Sequence, residues 1–356
     1  MNARRIGKVR ERLAREQLDA LLVTEPNNRR YMSGFSGTSG TVVITLQKAW
    51  LLTDFRYIEQ AGQQAPLFEV VEHHGDVVHT LKQLLTDVGA EKLGFDARHL
   101  TVAEYEKLAA ELKPIQLVPT SEWVERLRQV KEPEEIQIIR QAAAIADKAF
   151  QHVLSMLRPG VRERDVAAEL EYKMRQLGAS GPAFDTIVAS GPRSALPHGV
   201  ASDRVLAEGD LVTLDFGARY QGYCSDLTRT VALGRVDAQL EEIYRIVLEA
   251  QELGLQRIRA GMTAREADAV VRSYISERGY GDAFGHATGH AIGLDIHEAP
   301  SLSKRCETVL EPGMVLTVEP GIYLPGRGGV RIEDDVLLTD NGLEVLTGAP
   351  KHLIVL

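Results

Sequence analysis

The chain has 356 residues, 44% of them hydrophobic and 26% charged, with a formal net charge of −9. That length accommodates two ordinary domains with substantial cores, and the acidic balance excludes a nucleic-acid partner, which would call for a basic surface. No run approaches the roughly 20 apolar residues needed to span a bilayer, and the two cysteines, Cys224 and Cys306, fit neither a metal-ligand spacing nor a disulfide framework. A soluble protein of the reducing cytosol, with no membrane partner, is expected.

The opening MNARRIGKVRERLAREQ is positively charged with no apolar run behind it, and reads as an amphipathic helix over 2–16 rather than a signal peptide. An apolar strand over 18–23 follows, then strands over 40–46 and 49–52, a helix over 56–64 and a strand over 68–72. A helix over 76–88, a strand over 92–95, a helix over 101–112 and a strand over 115–119 complete the run. Such alternation predicts an α/β domain over 1–125, with helices packed on a sheet. His73, His74 and Asp54 lack a partner set for catalysis. After a junction near 120–135, Pro133 among acidic residues suits the first turn of a long helix. The helix is expected to run to about 157, where Arg158-Pro159-Gly160 stops it. A second domain, 126–356, begins here.

Within it the pattern recurs. RPGVRERDVAAEL from 158 and RAGMTAREADAVV from 259 align at a spacing of 101 residues, pairing Arg158/Arg259, Gly160/Gly261, Arg164/Arg265 and Gly178/Gly279. Each segment reads as a turn and an amphipathic helix, preceded by a long helix and followed by strands. If the echo is real, the domain consists of two similar halves with a site at their interface.

Five segments place acids or imidazoles inside apolar runs. Asp215 interrupts Leu211-Val212-Thr213-Leu214, where burying a charge is costly without compensation. Eleven residues on comes Asp226 in Cys224-Ser225-Asp226-Leu227-Thr228. The stretch from Gly217 to Gly222 reads as a hairpin turn folding it back beside Asp215. Two carboxylates so placed share a proton or bind a dication. Glycine-flanked His286 and His290 follow in Gly285-His286-Ala287-Thr288-Gly289-His290, with His297 seven residues later. Glu319 ends Val315-Leu316-Thr317-Val318, and Glu333 follows Val330-Arg331-Ile332. Four carboxylates balance two dications and leave a neutral histidine and room for a bridging hydroxide. Oxygen-rich ligation with one imidazole favours Mn²⁺, Co²⁺ or Zn²⁺ over softer ions, and two such ions a few ångströms apart activate water and polarise a carbonyl together. Cys224 has no histidine placed to activate it and reads as a packed small residue.

LDFGA, CSDLTRT, HATGHAIGLDIHE, TVEPGIY and GGVRIED, in this order, resemble the signatures of the pita-bread metallopeptidases, nearest the Xaa-Pro dipeptidases (prolidases) and aminopeptidase P. The resemblance is strong over 130–356. It is weaker over the first domain, where Tyr31-Met32-Ser33-Gly34-Phe35 and Asp54-Phe55-Arg56-Tyr57 are similar to a creatinase-type cap. It implies a creatinase-like α/β domain followed by a pita-bread domain with an internal pseudo-twofold repeat, an α/β (α+β) chain overall. It further implies Asp215 as ligand of one metal, Asp226 and Glu333 as bridges, and His290 and Glu319 as ligands of the second, with Mn²⁺ ahead of Co²⁺ or Zn²⁺. Glu319 becomes the general base, and His198 and His297 touch the reacting group and the substrate. His286 lies near the proline subsite, and Arg331 orients substrate or Glu333. Ala287 and Ala291 stand where the family often has glycine. The implied partners are small proline-containing peptides and a second copy of the chain in a homodimer. Two alternatives stand beside the dipeptidase: aminopeptidase P, acting on longer peptides, and a non-enzymatic binding module on the same fold, whose sign would be lost ligands. A metal-free, creatinase-like hydrolase is disfavoured by the full ligand set, and a methionine aminopeptidase by the added N-terminal domain.

Overall fold

The computed structural model describes residues 2–356. The chain divides into two compact units, the first ending at Arg128 and the second spanning Gln129–Leu356. In the first, a six-stranded mixed sheet has the order Glu69–Glu72, Ala49–Thr53, Thr41–Thr45, Ala20–Val23, Lys92–Asp96, Gln116–Thr120. Val78, Leu81 and Leu85 form one apolar stripe on the helix Val77–Asp87, and this packs on Leu22, Val43, Trp50 and Leu52 of the sheet. Asp76 caps that helix, and a Thr101–Glu104 capping box starts Val102–Glu111.

Two helices here go beyond the sequence expectation. Pro26–Ser33 starts on a proline, with the Glu25 carboxylate accepting from the Asn27 and Asn28 amides. It ends at Gly34, whose φ of 84° suits a residue without Cβ. The segment PNNRRYMS is too polar and short to show a helical apolar period. The second, Trp123–Gln129, lies across the expected 125/126 boundary. It packs with the first unit: Trp123 and Val124 are buried, Tyr31 Oη donates to Leu127 O (2.9 Å), and Arg128 Nη1 donates to Asn28 Oδ1 (2.8 Å).

In the second unit the recurrence at 101 residues is a structural repeat. The helix pair Pro133–Val153 and Glu163–Gln176 is matched by Ala238–Arg257 and Ala264–Glu277. Gly160 N donates to Leu206 O (3.0 Å) and Leu206 N to Val161 O (2.8 Å). In the other half Gly261 N donates to Leu310 O (2.9 Å) and Leu310 N to Met262 O (2.8 Å). Gly160 and Gly261 hold φ of 95° and 88°, values that a side chain would strain. After each helix pair come three corresponding strands: Ile187–Ser190, Leu211–Phe216 and Leu227–Ala232 in the first half, Gly289–Ala291, Val315–Val318 and Asp334–Thr339 in the second. The central strand lies between the other two in both sheets.

This repeat places the acids. Asp215 is the penultimate residue of one central strand and Glu319 follows the other. Asp226 and Glu333 each sit one residue before the third strand of their half. The two halves are stitched there by backbone, with Glu333 N donating to Thr228 O (3.1 Å).

Candidate metal centre

Ligand atoms of Asp226, His290 and Glu333 lie within 4.8 Å of one another, and Asp215 and Glu319 line the same cleft. Sequence reasoning thus put five residues, from the ends or interiors of five strands, into one place, and the structure brings all five together.

Their hydrogen bonds leave one side of each group open. Among the described residues, Asp215 Oδ1, Asp226 Oδ1 and Glu333 Oε1 are buried polar atoms with no partner. The other oxygens are held from behind. Asp215 Oδ2 accepts from Arg331 Nη2 (2.5 Å), Glu333 Oε2 from Thr228 Oγ1 (2.5 Å), and Glu319 Oε1 from Thr317 Oγ1 (3.2 Å). Asp226 is oriented through its backbone, its amide donating to Asp335 Oδ2 (2.9 Å). His290 Nδ1 lies 3.1 Å from Ala291 O, and since a carbonyl only accepts, Nδ1 carries the hydrogen. The Nε2 lone pair therefore faces Asp226 Oδ2 at 3.6 Å and Glu319 Oε1 at 3.4 Å. Acceptors facing acceptors in a buried pocket are unfavourable unless a cation lies between them.

Electrostatics say the same. Burial, reinforced by Glu333 and Asp215, holds the Asp226 carboxyl well above its ordinary range. Burial, with Glu319 and Asp215 behind it, does the same for Glu333. Burial lifts Glu319 to about 7, and it lowers His290 to about 4, so the imidazole is neutral at pH 7 and able to ligate. Divalent cations would return the carboxyls to their charged form. The orphaned oxygens, the open imidazole nitrogen and this donor chemistry fit a hard or borderline divalent metal.

The cleft has a volume of about 590 Å³, and His198, His286, His297 and Arg331 share its lining with Phe184, Ile187 and Val200. His198 and His297 are exposed. His297 meets His290 edge-to-face at 4.4 Å between ring centres. His286 is spoken for at both nitrogens: Nδ1 lies 2.8 Å from Ala287 O, and Nε2 accepts from Tyr323 Oη (2.8 Å). Burial lowers it to about 4, so it is neutral.

Sequence reasoning passed over Tyr323, Thr228, Thr317 and Asp335. Thr228, Asp335 and Thr317 lie two residues from Asp226, Glu333 and Glu319, the strand period that puts side chains on one face. Tyr323 ends the TVEPGIY segment, where no role was assigned to it. Arg331 ties two of these groups to Asp215, with Nη1 donating to Tyr323 Oη (2.8 Å) and Nε to Thr228 Oγ1 (3.2 Å) besides the bond to Asp215. Arg331→Lys keeps the charge and loses the fork. It is expected to weaken Mn²⁺ binding by roughly 10–100-fold in titration calorimetry. An unchanged affinity would show that Asp215 needs no guanidinium behind it. Cys224 is buried, its thiol pushed up to about 12 by burial, in keeping with a packing role.

Residues 137–340 match the metallopeptidase family M24, and residues 5–130 match the creatinase/prolidase N-terminal domain. Among solved structures, an Xaa-Pro dipeptidase from Bacillus anthracis is 52% identical, with a TM-score of 0.98 over 100% of both chains. An X-Pro aminopeptidase from Thermotoga maritima is 41% identical, with a TM-score of 0.91 over 96% of this chain and 98% of that one. The Xaa-Pro dipeptidase of Pyrococcus furiosus is 41% identical over 98% of this chain and 99% of its own length.

Proposed function

The chain belongs to metallopeptidase family M24, and on that footing we propose that it is an Xaa-Pro dipeptidase in which Asp215, Asp226, His290, Glu319 and Glu333 hold two divalent ions, Mn²⁺ first among them. The observation that carries the reading is the set of three unpartnered carboxylate oxygens and one open imidazole nitrogen at one end of a histidine-lined cleft. Divalent ions held there supply polarisation of the scissile carbonyl and a water acidic enough to react near neutral pH.

The remaining chemistry falls to side chains. Glu319 takes the proton of the attacking water at its carboxylate. As the water oxygen bonds to the carbonyl carbon and the bond from carbon to the proline nitrogen breaks, that proton passes to the nitrogen, which leaves as a secondary amine. His198 and His297, exposed on the cleft wall, donate to the substrate, His198 to the oxygen of the scissile group. His286 offers its ring carbons to the apolar proline ring, because its nitrogens are engaged by Ala287 and Tyr323. Arg331 holds Asp215 and Tyr323 in place. The same reading puts the protein in the cytosol as a homodimer. No described helix is long and apolar enough to cross a membrane.

Likeness to the Thermotoga aminopeptidase keeps a second reading, release of the first residue from longer peptides. The test compares Ala-Pro, Ala-Pro-Ala and a dipeptide without proline, each with Mn²⁺ and after chelation. Hydrolysis of Ala-Pro alone, lost on chelation and regained with Mn²⁺, is expected. Faster cleavage of Ala-Pro-Ala moves the assignment to the aminopeptidase, and activity untouched by chelation sinks the metal mechanism.

A further inference from the structure

Glu163 opens the helix Glu163–Gln176 and is fully buried, yet it does not line the cleft. Its carboxylate is saturated. Oε1 accepts from Ser190 N (2.8 Å) and Ser190 Oγ (2.7 Å). Oε2 accepts from Ser202 N (3.0 Å), Ser202 Oγ (2.6 Å) and Arg193 Nη1. Ser190 and Ser202 bracket the loop that carries His198. One carboxylate thus pins both feet of that loop, and Arg193 extends the hold, its Nη2 donating to Val200 O (2.9 Å).

Burying an acid is costly, and even a well-paired buried charge is seldom more stabilising than an apolar replacement. The repeat supplies the comparison. In the second half the corresponding helix opens on Ala264, also buried, so this helix start forms there without an acid. That half holds its own histidine-bearing loop from one turn further along. Asp268 accepts from Thr288 N (3.2 Å) and Thr288 Oγ1 (2.8 Å) and pairs with Arg272, which donates to His286 O (2.7 Å). A buried acid paired with a half-buried arginine therefore occurs in both halves where a histidine loop meets the cleft, and at different helix positions.

We infer that Glu163 and Arg193 are positioning residues that set His198 against the substrate, an inference that rests on the peptidase reading above. Charged hydrogen bonds fix the loop more tightly than neutral ones, and a misplacement of about 1 Å near a reacting group costs roughly 100-fold in rate.

The test uses the full, Mn²⁺-loaded chain with Ala-Pro as substrate. Arg193→Met, which leaves Glu163 with its four serine donors, and Glu163→Gln are each expected to lower kcat by roughly 10–100-fold, with a smaller change in KM and unaltered Mn²⁺ stoichiometry. In a His198→Ala background, Arg193→Met is expected to lower kcat no further, because both changes disable one device. Independent, multiplying losses overturn the inference, as does wild-type kcat in Arg193→Met. Hydrogen exchange reads the clamp without substrate: faster exchange confined to 190–202 is expected in Arg193→Met, and unchanged exchange there overturns it. Failure of the wild type to cleave Ala-Pro would count against the peptidase reading instead, and the exchange result would still decide the clamp.

Discussion

Asp226→Asn is expected to abolish tight Mn²⁺ binding and to lower Ala-Pro hydrolysis by roughly 10³-fold or more, the scale set by losing several kcal/mol of metal-assisted stabilisation. The same substitution is expected to make the metal-free protein more stable than the metal-free wild type above about pH 5. Burial and the neighbouring Glu333 and Asp215 hold the Asp226 carboxyl well above its usual range in the fold. An acid raised in this way folds best while protonated. Its cost is absent below the unfolded value of about 4 and grows as pH rises towards the folded one. Chelated wild type should therefore lose stability as pH climbs from about 4, and Asp226→Asn should lose less. Saturating Mn²⁺ should reverse the order, because only the wild type gains binding energy in the folded state. Calorimetric melting of both proteins, chelated and loaded, across pH 5–8 measures all three. Parallel pH slopes in the chelated pair would falsify the buried like-charge account.

Much of this centre was legible in the sequence because each ligand interrupts an apolar run. Asp215 and Asp226 were separable from ordinary turn acids by the glycine-bounded hairpin between them. In the fold Thr228 lies opposite Asp215 and Leu227 opposite Phe216, which leaves Asp226 just beyond the paired strand. The repeat was visible through Gly160/Gly261 and Gly178/Gly279, four glycines at positive φ, since backbone geometry restricts these positions more than packing restricts the helices. The supports were not legible. Tyr323 reaches Arg331 and His286 only because the hairpin Gly321–Leu324/Gly328–Arg331 folds it back. Glu163 stands 35 residues before His198 in the chain, and nothing local relates a helix-opening acid to a distant loop. The resemblance put His286 near the proline subsite, and only the structure shows that both its ring nitrogens are already engaged.

Glu319→Gln is expected to lower kcat by roughly 10²–10⁴-fold, the range for removing a general base, with a smaller loss in Mn²⁺ affinity, since the amide oxygen keeps one ligand atom. The base and ligand roles separate through pH. Burial lifts the Glu319 carboxyl to about 7 in the metal-free fold. Below that pH a binding cation must displace a proton from it, so wild-type Mn²⁺ affinity should fall as pH drops through 7. Glu319→Gln has no proton to release and should lose that part of the dependence, keeping whatever slope Asp226 and Glu333 impose. The stability of the chelated protein follows the same sign: the contribution of Glu319 is present below about pH 4 and lost as pH rises through about 7. Thr317→Val offers the complementary probe, because it removes the donor to Glu319 Oε1 and the acceptor for His290 N while leaving both ligands present. Its kcat should fall less than that of Glu319→Gln while Mn²⁺ binding weakens. If Glu319→Gln instead lost metal and activity in equal proportion and was restored by excess Mn²⁺, Glu319 would be a ligand alone, and the proton for the leaving nitrogen would have to come from one of the exposed histidines, His198 or His297.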